Sequence, residues 1–555
     1  MQKFFSTSTT TTIVDERCHV GLPRDVWDTI ADFIPEKDLK KLYAVNSALL
    51  HRAFKLRYQS IHVTKWADIS TCQLLDHLED PFRASFVRHV GVQFEGLQQH
   101  GIQDRPGISP MNLSPTTMLL AKAQRYANNG FSLISSLLSS SDRLIPSLEL
   151  TMALLVQVMP LLQNVHSFSF NCWDLPLNLN ISPILEAAWS SFGSKLTSFV
   201  FNGNIDSYIF LMDSMNGKPS LPSLTTLELD TTLNIRRNER DIAHEHQVLR
   251  DFVVPLVKTL APQLERFTLF FFPNADLSEF FNDVSKNVFK NLKYLRLRMP
   301  YNRTFNDTSG LLRFLSPTTL PRVDNLNLRL NPAGVALDRS NEIPLTQLLM
   351  ELANYTPATF TKLHTLELFP THFPEGRDVL YTAISRSCDT LESVCVRDRS
   401  LQPEEFIDLV RKLMSCSKLT ALRINLSKLD IGVIDLLANS FPKLIRLTLA
   451  LDESRNLDEP SISPTLEQDL ATRDYSSWAL RDVGFFRAGS HVDRCLMEAF
   501  ARRVPSVKSF WGNGHMLNSE VEIRTRSTRT PPAQASIGAC LKRLLPCTSS
   551  RGLQD

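Results

Sequence analysis

The segments "LHTLEL" (Leu363–Leu368), "LESVCV" (Leu391–Val396) and "LTALRI" (Leu419–Ile424) share one pattern: apolar, two others, apolar, one other, apolar. Each begins 28 residues after the one before. Between them lie "GRDVLYTAISRSC" and "PEEFIDLVRKLMSC", whose apolar residues recur at spacings of three and four, as on one face of a helix. In the phrase itself the last two apolar residues stand two apart, the period of a strand. One strand–helix unit of this size cannot cover its own apolar side, so copies must stack.

Outward from these three, the phrase recurs along most of the 555 residues. Clear copies begin at Leu224, Leu264, Leu292, Val323 and Leu444, and weaker ones at Val87, Val165, Leu196, Leu480 and Val507. Further helical patterns lie in "VLRDFVVPLVKTLA", "IPLTQLLMELANY" and "VDRCLMEAFARRV". The phrase resembles the strand signature of leucine-rich repeats. That resemblance implies an α/β fold: a curved, ribonuclease-inhibitor-like solenoid with parallel strands on the concave side and helices on the convex side.

The chain opens differently. In "GLPRDVWDTIADFIPEKDLKKLYAVNSALLHRAF" (Gly21–Phe54), Val26, Trp27, Ile30, Phe33 and Ile34 form one helical stripe between Pro23 and Pro35. Leu39, Leu42 and Val45 form a second, after acidic residues suited to a helix start. Asn46 and Ser47 permit a third, with Leu49, Leu50, Ala53 and Phe54, and "YQSIHV" alternates like a short strand. Three helices in so short a span bury little, and their surplus apolar side chains need a partner. A helix-turn-helix reading is disfavoured: net charge is only +2, and Leu49 and Leu50 stand where a recognition helix needs polar, base-reading residues. A mere cap on the solenoid is the other structural alternative.

The order Leu22, Pro23, Ile30, Phe33, Ile34, Pro35, Asp38, Leu39, Leu42, Val45 resembles the F-box, in a form similar to its fungal branch, with Asn46 and Leu49 where Cys and Trp are common. The resemblance implies binding to a Skp-type adaptor and, through it, to a cullin scaffold in an SCF ubiquitin ligase. Those ten residues would be shared between the module's core and the adaptor interface. The expected organisation is a disordered tail over 1–17, the F-box over 18–63 and the solenoid over 64–515. Irregular insertions are expected near 95–144 and 451–477, with a basic disordered tail over 516–555.

Composition is that of a soluble, globular chain. Apolar residues make up 43% and charged residues 21%. The nine cysteines show no metal-like spacing and read as reduced thiols. "MALLVQVMPLL" is too short to span a membrane, and the N-terminus lacks the apolar core of a signal peptide, which leaves cytoplasm or nucleus. No membrane or nucleic-acid partner, cofactor, metal or catalytic residue is expected. The paired histidines of "HEH" (244–246) read as a solvated turn, and His364 and His372 lack an adjacent nucleophile.

Alternation along each strand turns Thr226, Glu228 and Asp230, then Arg266, Thr268 and Phe270, outward onto the concave face. Next come Tyr294, Asn325, Asn327, Thr365, Glu367, Phe369, Ser393, Cys395, Asn425, Arg446, Phe486 and Trp511. Among them stand Arg296, Arg298, Arg329, Arg397 and Arg423, suited to gripping an acidic or phosphorylated segment of a target protein. The sequence therefore points to a substrate receptor of an SCF-type ligase. The rival is a non-catalytic leucine-rich-repeat scaffold with no part in ubiquitin transfer.

Overall fold

The computed structural model describes residues 22–39, 41–42, 45–94, 148–172, 179–215, 221–231, 242–271, 275–299, 305–330, 342–354, 360–371, 373–451, 462–487, 491–492, 494–511 and 520–522. The expected insertion near 95–144 and the tail over 1–17 lie outside them. The chain divides into two compact units, Met1–Ser427 and Lys428–Asp555.

The first unit begins with helices α1 (Arg24–Phe33), α2 (Glu36–Leu39) and α3 (Ser47–Tyr58). Pro23 stands just ahead of α1, and the chain turns extended at Ile34, before Pro35. Asn46 caps α3, its side-chain oxygen accepting from the Leu49 N–H at 2.8 Å. Then come β1 (Ser60–Val63), β2 (His89–Gln93), β3 (Ser167–Asn171), β4 (Ser198–Gly203), β5 (Thr226–Thr231) and β6 (Arg266–Phe270). They are followed by β7 (Tyr294–Arg298), β8 (Asn325–Arg329), β9 (Thr365–Phe369), β10 (Ser393–Leu401) and β11 (Ala421–Leu426). Each pairs in parallel with the next, in chain order. Every repeat phrase of this unit, from Val87 to Leu419, supplies a strand that starts two residues after the phrase does. The unit is an open α/β leucine-rich-repeat solenoid. Strand "SIHV" pairs with β2, so it opens the sheet.

In-register stacking makes the core. Phe168 and Phe170 of β3 lie on Phe199 and Phe201 of β4, with ring centroids 5.9 and 6.1 Å apart and planes within 23° and 6° of parallel. Leu227 and Leu229, Leu295 and Leu297, Leu326 and Leu328, and Leu366 and Leu368 continue the two columns, all buried. Each such side chain contributes roughly 1.5–3 kcal/mol relative to exposure, and only the neighbouring strands and the connecting helices can provide that cover.

The expected helices form, at Glu342–Asn354, Pro374–Ser387 and Pro403–Leu413, with proline in the first turn of each. Gln402 and Glu405 add a reciprocal capping box to the last. "VLRDFVVPLVKTLA" departs from a plain helix. Helix Ile242–Val248 passes through a π-helical turn, Leu249–Val253, into Val254–Leu260. Pro255 has no N–H to donate there, and the preceding turn widens. The "HEH" stretch is thus helical where a solvated turn was expected. Glu245 is buried and accepts from the Ala275 N–H at 3.0 Å, while His244 meets Asp206 at 2.9 Å.

In the second unit, β12 (Arg446–Leu451) pairs in parallel with β13 (Asp482–Arg487), and β13 with β15 (Ser509–Trp511). β14 (His491–Val492) and β16 (Glu520–Glu522) add antiparallel pairs to β13 and β15. β16 falls in the segment expected to be a disordered tail; pairing to β15 orders its backbone. Within the polar stretch 451–477, helix Leu466–Ala471 buries Leu466 and Leu470, and Tyr475 donates to Asp435 at 2.6 Å. Two leucines four apart supply that helix's inward stripe, short enough to be outweighed by the charges around it. Phe486, expected to face outward, is buried.

The chain leaving β9 passes close to the helix that follows at Gly376, two residues into helix Pro374–Ser387. A Cβ there would lie 1.8 Å from the Pro370 carbonyl oxygen. Alanine in place of glycine inside a helix is ordinarily favourable by about 1 kcal/mol. Gly376→Ala is expected to reverse that sign and lower the melting temperature. Gly432→Ala, whose nearest contact is the Asp430 side chain at 3.2 Å, should be tolerated. Differential scanning fluorimetry of both variants checks the contrast.

Candidate functional site

Two surfaces of the first unit carry chemistry. One is the helical module. Its small core consists of Ala31, Leu39 and Leu49, with Trp27, Ile34, Leu42 and Leu56 packed against it. An ion pair between Arg52 and Asp32 ties α3 to α1. Of the ten motif residues, only Leu39 is buried; Ile30, Ile34, Asp38 and Leu42 are half-buried. Leu22, Pro23, Phe33, Pro35 and Val45 are exposed, Phe33 at 84% and Val45 at 61%. Val26 is exposed as well. A compact module thus holds out a set of apolar side chains that its own core does not use, the condition expected of an interaction surface. At its other end the module is anchored. His51 and Phe54 of α3 meet Phe82 and Phe86 edge-on or tilted, with centroids 4.6–6.5 Å apart.

The second surface is the strand face. Register places Glu228, Thr268, Arg296, Asn327, Glu367, Cys395 and Arg423 in one row across β5 to β11. Asp230, Phe270, Arg298 and Arg329 form the next row across β5 to β8. The centre is Glu367. Its carboxylate accepts from Arg329, from Arg397 at 2.5 Å and from Asn327. Arg296 and Arg423 act on it through charge. Arg296 also sits over the Phe270 ring, 4.7 Å from its centroid.

All five arginines singled out from the sequence are therefore gathered on one face. They are not uniformly outward. Arg329 and Glu367 are each 8% exposed, and Arg329 turns along the sheet into an internal ion pair. Sequence alternation gave the face but not this pairing, because Glu367 lies 38 residues away from Arg329 in the chain and beside it only through register. Glu367 looked like one more outward polar residue, and its part as the shared counter-ion is visible only after folding. The side chains of Phe369 and Trp511 lie outside the described residues.

Charge is unevenly spread. Burial pulls the pKa of Arg329 below its usual value, and Arg296 and Arg298 add to this against the pull of Glu367. Burial likewise pushes the Glu367 carboxyl up, opposed by Arg329, Arg296 and Arg423. Toward β5 the sign changes. Burial raises Glu228 against the pull of Arg296, and burial together with Glu228 pushes Asp230 up to about 6. Among the described residues, no group of His, Cys, Asp or Glu could hold a metal ion, and no helix is long and apolar enough to cross a membrane. His372 lies outside them.

No known protein family matches the chain, and no curated protein matches it. Solved structures do, at a distance. A leucine-rich-repeat-containing protein of Legionella pneumophila, LegL7, has 14% identity and a TM-score of 0.32, over 64% of this chain and 96% of that one. The Rad7 and Elc1 complex of yeast gives 13%, 0.31, 63% and 92%. A Bacteroides fragilis protein gives 13%, 0.27, 60% and 73%. Likenesses this distant carry no function across.

The raised Asp230 makes a testable statement about stability. A carboxyl whose folded pKa is above its unfolded value binds its proton more tightly in the folded chain. Its stabilising effect is complete below the unfolded value, near 4, and is lost as pH rises through about 6. Asp230→Asn is expected to raise the melting temperature at pH 7.5 and to flatten its pH dependence between about 4 and 6. Melting curves of both proteins across that range check it.

Proposed function

We propose that this chain is the substrate-recognition subunit of an SCF-type ubiquitin ligase. Helices α1 to α3 bind a Skp-type adaptor that is joined to a cullin scaffold, and the strand face of the solenoid holds the target. The observation that carries this reading is the exposed apolar set on the helical module, Leu22, Val26, Phe33 and Val45, built on a core of a few side chains. Leu22, Phe33 and Val45 belong to the F-box-like pattern, and Val26 lies on the same helix as Phe33. Among the described residues none covers Phe33, which is 84% exposed. The contribution to ubiquitin transfer is proximity: bringing the target's lysines near a charged conjugating enzyme raises their effective concentration.

The alternative, a repeat scaffold capped by three helices, requires no such exposed set. Phe33→Ala with Val45→Ala is expected to abolish co-purification with the adaptor while circular dichroism and melting stay those of the parent chain. Retained co-purification would favour the scaffold. Leu39→Ala is the contrasting variant. It removes a buried side chain at a cost of roughly 2–5 kcal/mol, so adaptor binding should fail together with the module's fold.

For the target, the strand face is suited to an acidic or phosphorylated segment. Among the described residues, Arg296 and Arg423 act on Glu367 through charge and belong to no ion pair, which leaves them positive charge to offer. Arg329 is a poor residue to remove, because its loss strands Glu367 without a buried partner. Arg296→Gln with Arg423→Gln spares that pair. This double variant is expected to lose captured target, measured by affinity purification and mass spectrometry, with adaptor binding unchanged.

A further inference from the structure

The strand face has a second patch, of the opposite sign. Asn171 of β3, Asn202 of β4 and Asp230 of β5 stand in register, with Glu228 two residues before Asp230. The side-chain oxygens of Asn171 and Asn202 are closed off from solvent without a hydrogen-bond partner among the described residues. So is the hydroxyl of Tyr208, which is fully buried and close enough to Asp230 to feel its charge. Buried acceptors left without donors are costly. Arg298 and Arg296 offset the two carboxyls only in part, since burial still raises both. Among the described residues the patch is short of positive charge and of donors, while Arg296 and Arg423 belong to no ion pair.

We infer that the segment recognised on this face is bipolar: its acidic or phosphorylated group lies over the arginines around Glu367, and a lysine or arginine of the same segment seats against Glu228 and Asp230. This rests on the target-face reading above and adds a cationic subsite to it. The occupant is a side chain of the target because both patches lie on one open run of strands. From β5 to β9 is four strand spacings, about 19 Å, which an extended chain covers in about six residues. A ligand bearing both charges at that separation satisfies both ends at once.

The test uses the full chain and fluorescent glycine/serine peptides. Each carries one phosphoserine and one lysine placed at successive positions to either side. Anisotropy titrations at low salt are expected to show affinity rising about tenfold when the lysine stands about six residues from the phosphoserine, on one side only. Glu228→Gln with Asp230→Asn should erase that gain without weakening binding of the lysine-free phosphopeptide. Phosphopeptide binding that ignores the lysine at every position would overturn the bipolar inference alone. Failure of the parent chain to bind any of the phosphopeptides would overturn the arginine reading and this one with it. Loss of the lysine gain on adding calcium chloride, with calcium bound by the parent chain and not by the double variant, would make the patch a metal site and end the inference.

Discussion

Every strand of the solenoid depends on one constraint: its two inward apolar residues can be kept from water only by the strands on either side and the helix that follows. Phe168 and Phe170 against Phe199 and Phe201 show it most directly, since each ring finds its cover in the ring at the same register position one strand on. Registry is thus enforced by burial, and registry in turn sets what stands on the opposite side of the sheet. A slip of one residue would turn the arginines inward and the leucines out. The face of charged side chains is the by-product of packing on the other one.

This explains how much could be read beforehand. The repeat phrase is local, so each copy could be recognised from six residues, and each described strand of the array begins where its phrase places it. The three opening helices were legible for the same reason, their stripes lying within a turn or two of proline or a cap. What escaped depends on partners far along the chain. Glu367 meets Arg329 and Arg397 only because β8, β9 and β10 lie side by side. Tyr475 finds Asp435 and β16 finds β15 in the same non-local way. The buried face of Phe486 belongs to this group too, since alternation alone assigns it outward.

The strand face also shows a trade between stability and fixed placement of side chains. Burying Glu367 beside guanidinium groups gains little over an apolar replacement, because desolvation consumes most of the Coulomb attraction. What it does achieve is position. A carboxylate accepting from Arg329, Arg397 and Asn327 fixes those side chains in one arrangement. Groups already held in place lose less freedom when a ligand arrives. Asp230 and Glu228 lie at the other limit, carboxyls placed where burial opposes their charge.

The join between α3 and β1 has a mechanical meaning. A single residue, Gln59, separates the two elements, and the rings of His51, Phe54, Phe82 and Phe86 interlock beside it. Such a joint behaves as a bracket and not as a hinge. The angle between α1–α3 and the strand rows is therefore set by packed rings and not by slack in a linker.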